Sequence, residues 1–309
     1  MATVIAVIAA LGAAWCFALG AVVQHGAARE AGGNALSPAL LLRLARSPRW
    51  LAASALSAVS FGIQGLALAF GPLALVQPLA ATDVLFALPM IAVVHRYRLT
   101  GRDWTGATAV AGGLAMFLTL SPPSSGIGTP GPREWAPVIL SVTATAAASV
   151  VVAARTRGVA RVLSLAAAAG VIYGFLDALT KSWVDLLSSR GAAELLRWEP
   201  FALLAAGIIG AYLTQSSFQA GALSASLPVI DTVEPAVAVV IGTTVFSERL
   251  AASPAQLSIQ LAGGAVAVWG IAMLSHSSVA AVETNTPPQP TTALADSPGP
   301  ADARSLCGS

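Results

Sequence analysis

The sequence predicts an all-α polytopic membrane protein, and three observations support this prediction. Of its 309 residues, 56% are hydrophobic and 10% are charged, whereas a soluble domain carries about 25% charged residues. Mean hydropathy is +0.77, so lipid must cover much of the apolar surface. The apolar residues lie in runs of about 20, the length that a helix needs to cross a bilayer. Because backbone amides in lipid must pair within their own segment, these runs are predicted to be helices.

About nine spans are predicted, separated by short polar or Gly/Pro turns. They cover residues 3–24, 50–70, 72–94, 104–120, 135–154, 162–186, 200–220, 222–246 and 255–275. No Lys or Arg precedes Arg29, so the first run is predicted to be a retained helix rather than a signal peptide. Residues 36–48 are short and contain two arginines, which favours an interfacial helix over a span.

The chain contains two similar segments about 150 residues apart. Residues 71–74 match 221–224, Pro78 matches Pro228, and residues 111–113 match 262–264. The predicted repeat is four helices: residues 1–134 form the first unit, 135–160 a linking helix, and 161–275 the second unit. Because five spans precede the sixth, the second unit enters the membrane from the opposite side. Two inverted repeats of this kind are typical of secondary transporters.

Arginines in the short loops predict the orientation. One group of loops, assigned to the cytoplasm, carries Arg29, Arg43, Arg46, Arg49, Arg96, Arg98, Arg102, Arg155, Arg157, Arg161 and Arg304. The other loops carry Arg133, Arg190, Arg197 and Arg249. This places a multi-pass protein in the cell membrane with its N-terminus outside and its C-terminus in the cytoplasm. The tail, residues 276–309, is rich in Pro, Thr, Ser and Ala and is predicted to be disordered.

Ionisable residues within the predicted spans are the first site candidates, because a charge at the bilayer centre costs about 3 kcal/mol or more. Asp231 and Glu234 are spaced i,i+3 and share a helix face. Two close carboxylates cannot both ionise without cost, so this pair suits proton exchange or cation binding. Asp177 and Lys181 are spaced i,i+4, which predicts an ion pair that is either structural or part of the site. Asp83 lies in the third span.

Proline and polar residues extend the candidate site. Pro78 and Pro228 are predicted to break helices at matching points of the two repeats and to free backbone carbonyls toward a substrate cavity. The full candidate set for substrate or ion binding is Asp83, Asp177, Lys181, Asp231, Glu234, Gln64, Gln77, Gln215 and Tyr173. Interhelical hydrogen bonding is the alternative role for the glutamines. His25 is predicted to lie at the interface, and the Gly-Gly pairs at 112–113 and 263–264 are predicted to allow close helix packing.

Known enzyme signatures are missing from the sequence, which therefore predicts a protein that is not an enzyme and has no cofactor. It contains no Walker loop, no HExxH pair and no GxSxG elbow. The three histidines are scattered, and two cysteines, Cys16 and Cys307, form neither a metal-binding pattern nor a disulfide framework. A net charge of +2, without a basic patch, argues against nucleic acid as a partner.

Several motifs resemble the EamA type of the drug/metabolite transporter superfamily over about residues 3–275. They are FGPLALVQPLA at 70–80, AGALSASLP at 220–228, Glu234-Pro235, and the Phe-Ser-Glu-Arg-Leu run at 246–250. Nine spans and the GPLALVQPL form are similar to the NIPA-type magnesium transporter branch, whereas the usual EamA member has ten. Magnesium transport is what that branch implies. Asp83, Asp231 and Glu234 would then supply oxygen ligands to a largely hydrated Mg²⁺.

Three functions remain open at this stage. The first is a secondary transporter that moves a small solute by alternating access through a midplane cavity. The second is a NIPA-like magnesium or divalent-cation transporter, against which the buried charge of Lys181 counts. The third is a membrane scaffold that transports nothing. Expected partners are the lipid bilayer and a small-molecule or Mg²⁺ substrate, and the sequence leaves a homodimer open.

Overall fold

A computed structural model describes residues 2–32, 35–70, 76, 79–119, 130–190, 198–246 and 253–285. These residues form helices and no strand. The helices are α1 Ala2–Glu30, α2 Leu40–Leu44, α3 Pro48–Phe70, α4 Asp83–Val94, α5 Gly101–Thr119, α6 Pro132–Arg155, α7 Val159–Arg190, α8 Trp198–Ala220, α9 Leu223–Val245, α10 Pro254–Ser275 and α11 Ser278–Asn285. The all-α class is therefore confirmed for the described part of the chain.

Seven helices are long and apolar enough to cross a membrane: α1, α3, α6, α7, α8, α9 and α10. This confirms a polytopic membrane protein, but with fewer such helices among the described residues than the nine predicted. α4 has only 12 residues, and residues 72–75 and 77–78 of the span predicted at 72–94 lie outside the described residues. The first turn of α5 contains Arg102 and Asp103, which lower its hydropathy. The repeat architecture stays a prediction.

The helices pack as pairs of close neighbours. α1 lies against α3 and α4, while α7 lies against α6, α8 and α9. α5 packs along α10, and α1 crosses α8. α4 also contacts α9. These contacts bring the helices that carry the predicted acidic residues, α4, α7 and α9, to the inside of one bundle.

Small residues make the closest helix crossings. In α5 and α10, a Cβ atom on Gly113 would lie 2.6 Å from the carbonyl oxygen of Gly263, and one on Gly270 would lie 2.7 Å from that of Gly106. Both pairs allow near backbone contact, as small-residue crossings do in membranes. The predicted packing role is thus confirmed for Gly113 and Gly263. The neighbouring Gly112 has nothing within 4 Å of its Cβ position.

Long-range contacts bring the arginine-bearing loops together at one end of the bundle. Gln219 at the end of α8 donates to the Gly32 carbonyl oxygen at 2.7 Å, and Arg161 near the start of α7 donates to that of Ala35 at 3.0 Å. Gly106 in α5 faces Leu274 at the end of α10. We call this the arginine-rich end; its arginines are Arg29, Arg43, Arg46, Arg49, Arg96, Arg98, Arg102, Arg155, Arg157 and Arg161. The structure supports the predicted grouping of these loops, and their cytoplasmic location stays a prediction.

Two segments outside the long helices were predicted differently. Residues 278–285 form helix α11, so the prediction that disorder begins at residue 276 is wrong for this part of the tail. Residues 286–309 lie outside the described residues. Between α1 and α3, the predicted interfacial segment contains the five-residue helix α2. Its Leu40 and Leu44 are buried while Leu42 is 68% exposed, as expected for a short amphipathic segment.

Candidate functional site

Helix α9 carries two prolines inside a continuous helix, Pro228 and Pro235. The predicted helix break at Pro228 is therefore wrong, because the helix runs on from Leu223 to Val245. Pro228 still removes the amide donor that would bond the Ser224 carbonyl, and Pro235 removes the one that would bond Asp231. The Thr232 hydroxyl donates to the Pro228 carbonyl oxygen at 2.7 Å. The partner proline in the first repeat, Pro78, lies outside the described residues.

Asp231 and Glu234 lie one turn apart on α9, as the spacing predicted. At about 1.5 Å per residue they lie about 12 and 17 Å along the axis from Leu223. That depth is near the middle of a hydrocarbon core of about 30 Å. The Oδ2 atom of Asp231 is buried and accepts no hydrogen bond among the described residues. A buried polar atom without a partner is costly, so the site around Asp231 is set up for a proton or a ligand.

Asp83 reaches the same region from α4. It is the first residue of that helix and is 5% exposed. Its Oδ1 accepts a hydrogen bond from the Val84 amide at 2.7 Å, and an acidic residue in the first turn is favoured by the helix dipole. Asp83 lies within electrostatic range of both Asp231 and Glu234. Its role in a site stays a prediction, and the span that was expected around it begins outside the described residues.

Helix α7 is the third helix at this site, and two of its glycines bring it close to α9. A Cβ atom on Gly174 would lie 2.5 Å from the Glu234 carbonyl oxygen, and one on Gly170 would lie 3.1 Å from that of Ile230. The α7 and α9 backbones therefore almost touch at the level of the acidic pair. Tyr173, beside Gly174, accepts a hydrogen bond of 3.3 Å from the Thr214 hydroxyl of α8 and lies within electrostatic range of Glu234.

Four carboxyl groups thus come from three helices. Glu234 interacts electrostatically with Asp177 of α7 as well as with Asp83 of α4. Ionised together in a medium of low dielectric constant, they would repel one another strongly. A proton or a cation on this group would remove that repulsion. Among the described residues, no three His, Cys, Asp or Glu side chains form a group that could hold a metal ion.

Lys181 occupies a different place. Its ammonium nitrogen lies 4.7 Å from the ring centroid of Phe246, just after α9. The Phe246 ring meets Trp135 edge-on at 6.1 Å, and Trp135 packs in the same way against Phe175 and Trp198. This aromatic group lies at the end of the bundle opposite the arginine-rich end. The contact that the structure gives for the Lys181 ammonium is with this ring, and the predicted ion pair of Lys181 with Asp177 stays a prediction.

The glutamines separate into two groups. Gln215 of α8 is 2% exposed, and its amide donates to the Gln24 oxygen of α1 at 2.7 Å. Gln24 in turn donates to the Ser57 hydroxyl of α3 at 3.0 Å. Gln215 therefore links three helices near the arginine-rich end, the interhelical role that was the alternative for it. Gln64 is half-buried on α3, and Gln77 lies outside the described residues.

His25 lies next to this network. It is 3% exposed, its Nε2 donates to the Gly221 carbonyl oxygen at 2.8 Å, and its ring packs edge-on against Phe218. Its position at the membrane interface stays a prediction. The contact joins the end of α1 to the turn between α8 and α9. Sequence reasoning also missed Pro235 as a second proline in α9 and Glu283 as a buried acid. The run Asp-Thr-Val-Glu-Pro could have revealed the first, since each proline frees the carbonyl four residues before it.

Comparison with known proteins adds one relative. An uncharacterized protein of Corynebacterium glutamicum, Cgl0250/cg0304, is 31% identical over 247 residues, which cover 79% of this chain and 86% of the relative. The chain belongs to the same family as this protein. No family model matches the chain, and no solved structure matches it.

Proposed function

We propose that the protein is a secondary transporter of the EamA type in the drug/metabolite transporter superfamily. It moves a small solute by alternating access through a cavity near the midplane. The observation that carries the proposal is the group of carboxyls from α4, α7 and α9, in which Glu234 at mid-depth of α9 lies within electrostatic range of Asp83, Asp177 and Asp231. Ionisable residues at such depth are expensive and mark substrate or ion pathways. A scaffold needs none of them.

The helix contacts support an arrangement in two inverted repeats. In the first half α1 packs against α3 and α4, and in the second half α7 packs against α8 and α9. The remaining helices of the two units, α5 and α10, pack against each other. α1 and α7 therefore hold equivalent places, as do α4 and α9. Equivalent halves of this kind let a protein expose one site to either side of the membrane in turn.

This group of carboxyls then serves as the site that couples ligand binding to the conformational change. When a proton or a cationic solute neutralises it, the repulsion between Asp83, Asp231 and Glu234 disappears and the helices can close around it. When it is empty and charged, water must reach it. Because the empty, charged site needs water, binding of a solute or proton changes which end of the bundle is open. The backbone oxygen of Asp231, left without its helical donor by Pro235, is a further polar group for a ligand at the same level.

Transport by purified protein in proteoliposomes tests the proposal. Uptake of a metabolite panel and of Mg²⁺ should be compared with and without a pH gradient. We expect Asp231→Asn and Glu234→Gln to insert and fold normally but to lower uptake at least tenfold and to change its pH dependence. Glu30→Gln is the matched control, because it neutralises a surface carboxyl whose partner is Arg49. Normal transport by both variants from pH 5 to 8 would mean that the acidic pair is structural.

A magnesium or other divalent-cation carrier is the second candidate; its oxygen ligands would come from carboxyls on three helices, which do not gather into a metal-binding group among the described residues. Mg²⁺ keeps much of its water shell and needs few protein ligands. Mg²⁺ uptake in the same experiment distinguishes the two functions. The cation carrier is favoured if no metabolite competes with Mg²⁺ uptake and if Asp83→Asn abolishes it. If no solute and no cation crosses the membrane, both proposals fail and the scaffold remains.

A further inference from the structure

The C-terminal helix α11 ends against the start of α9, and a single carboxyl group makes the contact. Glu283 is fully buried. Its carboxyl oxygens accept hydrogen bonds from the Leu223 amide at 3.1 Å and from the Ser224 amide at 3.2 Å. The Ser224 hydroxyl donates to it as well. Glu283 therefore binds the first two amides of a helix that begins 60 residues earlier in the chain.

This contact replaces a cap that α9 lacks. The residue at its N-cap position is Ala222, whose side chain has no hydrogen-bonding group. The first amides of a helix have no partner within the helix, and they carry partial positive charge. Hydrogen bonds to these amides stabilise the start of the helix, and loss of an N-cap weakens it. α9 thus depends on α11 for a contact that most helices supply from their own sequence.

The same segment is also attached to α1 and α7. The guanidinium of Arg29 in α1 donates to the Glu283 carbonyl oxygen. Ala280 packs in a small buried cluster with Val162 of α7 and with Ala222 and Ala225 of α9. α11 therefore contacts the ends of three long helices at the arginine-rich end of the bundle, including the two that contribute Asp177, Asp231 and Glu234.

We propose that α11 is a C-terminal latch that controls access to the transport site from the arginine-rich end. When docked through Glu283, it holds the ends of α1, α7 and α9 together and closes that end. When released, it leaves the first turn of α9 uncapped and lets these helix ends separate. This inference rests on the proposed transport function only for the activity that the latch controls. The docking contacts themselves are seen among the described residues.

Proton binding supports a regulated latch. Burial raises the pKa of the Glu283 carboxyl from 4.5 to about 7, and the hydrogen bonds from Ser224 and Leu223 and the charge of Arg29 offset only part of that rise. Other titratable groups at this end of the surrounding elements include His25 and Glu30 on α1, Arg161 on α7 and His276 after α10. His25 and Arg161 are bonded to backbone carbonyls, and His276 is exposed.

The direction of the pH effect follows from linkage. Docked Glu283 binds its proton more tightly than the same carboxyl in water, so docking is strongest below pH 4.5 and weakens as the pH rises through about 7. One pKa unit is a tenfold change in equilibrium. Between about pH 5.5 and about pH 8.5 the docking constant should therefore fall about thirtyfold. The latch closes in mild acid and opens in mild alkali.

Thiol labelling tests docking without any solute. In a background with Cys16 and Cys307 replaced by serine, a cysteine is placed at Ala280, which is 5% exposed and lies in the docked face. A cysteine at the exposed Ala281 is the matched control and corrects for the pH dependence of thiol reactivity. The reagent is a membrane-impermeant maleimide, applied to membrane vesicles of both orientations. We expect the ratio of labelling rates, position 280 over position 281, to rise about thirtyfold from about pH 5.5 to about pH 8.5.

Two substitutions assign the effect to the carboxyl. Glu283→Gln keeps the shape of a protonated acid, so the ratio should stay low and lose its pH dependence. Glu283→Ala removes the acceptor, so the ratio should be high at every pH. If Glu283→Ala does not insert, Ser224→Ala, which removes one donor, should raise the ratio in the same direction. A ratio in the native sequence that does not change with pH, or one that changes equally in Glu283→Gln, overturns the proposal.

Uptake measured in the same vesicles separates this proposal from the proposed function. With a transported solute, Glu283→Gln should remove the rise in uptake between about pH 6 and about pH 8. If labelling follows the latch but no solute is transported, the latch stands and the transport function fails. If uptake occurs and responds to Asp231→Asn while the labelling ratio is flat, transport stands and the latch fails.

Discussion

Replacing Gly113 with alanine should separate α5 from α10. The new methyl carbon would lie 2.5 Å from the backbone nitrogen of Ala267 and 2.6 Å from the carbonyl oxygen of Gly263. Ordinary contacts of a Cβ atom begin at 3.4 Å, so the helices must move apart by about 0.9 Å or bend. Both neighbours are backbone atoms, which cannot rotate away. Overpacking of this kind costs about 1–3 kcal/mol.

Gly112 provides a matched control on the same helix. An alanine there meets nothing within 4 Å and gains the same helix propensity, up to about 1 kcal/mol relative to glycine. The difference between the two variants therefore isolates the cost of overpacking. The assay is thermal unfolding of detergent-solubilised protein, followed by the loss of the monodisperse peak in size-exclusion chromatography. Gly113→Ala should unfold at the lower temperature. If both variants unfold together, or if Gly112→Ala is the less stable, the close crossing described here is absent.

Two further predictions concern topology and the aromatic group. A cysteine at Arg98 should resist impermeant reagents in intact cells while a cysteine at Gly126 reacts, since arginine-rich loops stay in the cytoplasm; strong labelling at position 98 with none at 126 would reverse the orientation. Lys181→Met should lower thermal stability by about 0.5–1 kcal/mol through loss of its contact with the Phe246 ring. In a double-mutant cycle with Phe246→Leu the two costs should not add, whereas a cycle with Asp177→Asn should be additive if these residues form no pair.

The candidate site was predictable where it depends on local spacing. The i,i+3 spacing of Asp231 and Glu234 places both on one face of α9 in any α-helix. Burial in an apolar span then requires that face to point inward, and the structure places it there. Gly113 and Gly263 were predictable for the same reason, because close crossings in membranes select small residues. Each of these inferences needs only one helix and the surrounding lipid.

Features that depend on contacts between distant segments could not be predicted in this way. Glu283 lies in a segment whose composition is typical of disorder, and this segment is held by contacts with α1, α7 and the start of α9 that are distant in the sequence. Lys181 has an acid four residues before it, yet its ammonium contacts Phe246, since a long side chain can reach an aromatic ring on another helix. Pro228 does not interrupt α9, because neighbouring helices can support a membrane helix that has lost one backbone donor.

Helix α9 combines the features that the proposed transport mechanism requires of a moving element. Pro228 and Pro235 each remove one internal hydrogen bond, so the helix can bend on either side of Asp231 at lower cost than its neighbours. Its first turn depends on Glu283 for capping, and its middle carries two carboxyls whose repulsion changes with occupancy. A charge change at Asp231 or Glu234 and a release of Glu283 therefore act on the same mechanical element. The two proposals together therefore make one further prediction. Asp231→Asn removes repulsion in the middle of α9, so it should favour the docked latch. The labelling ratio at position 280 should then be lower, even at alkaline pH. An unchanged ratio in that variant would show that the site and the latch act independently.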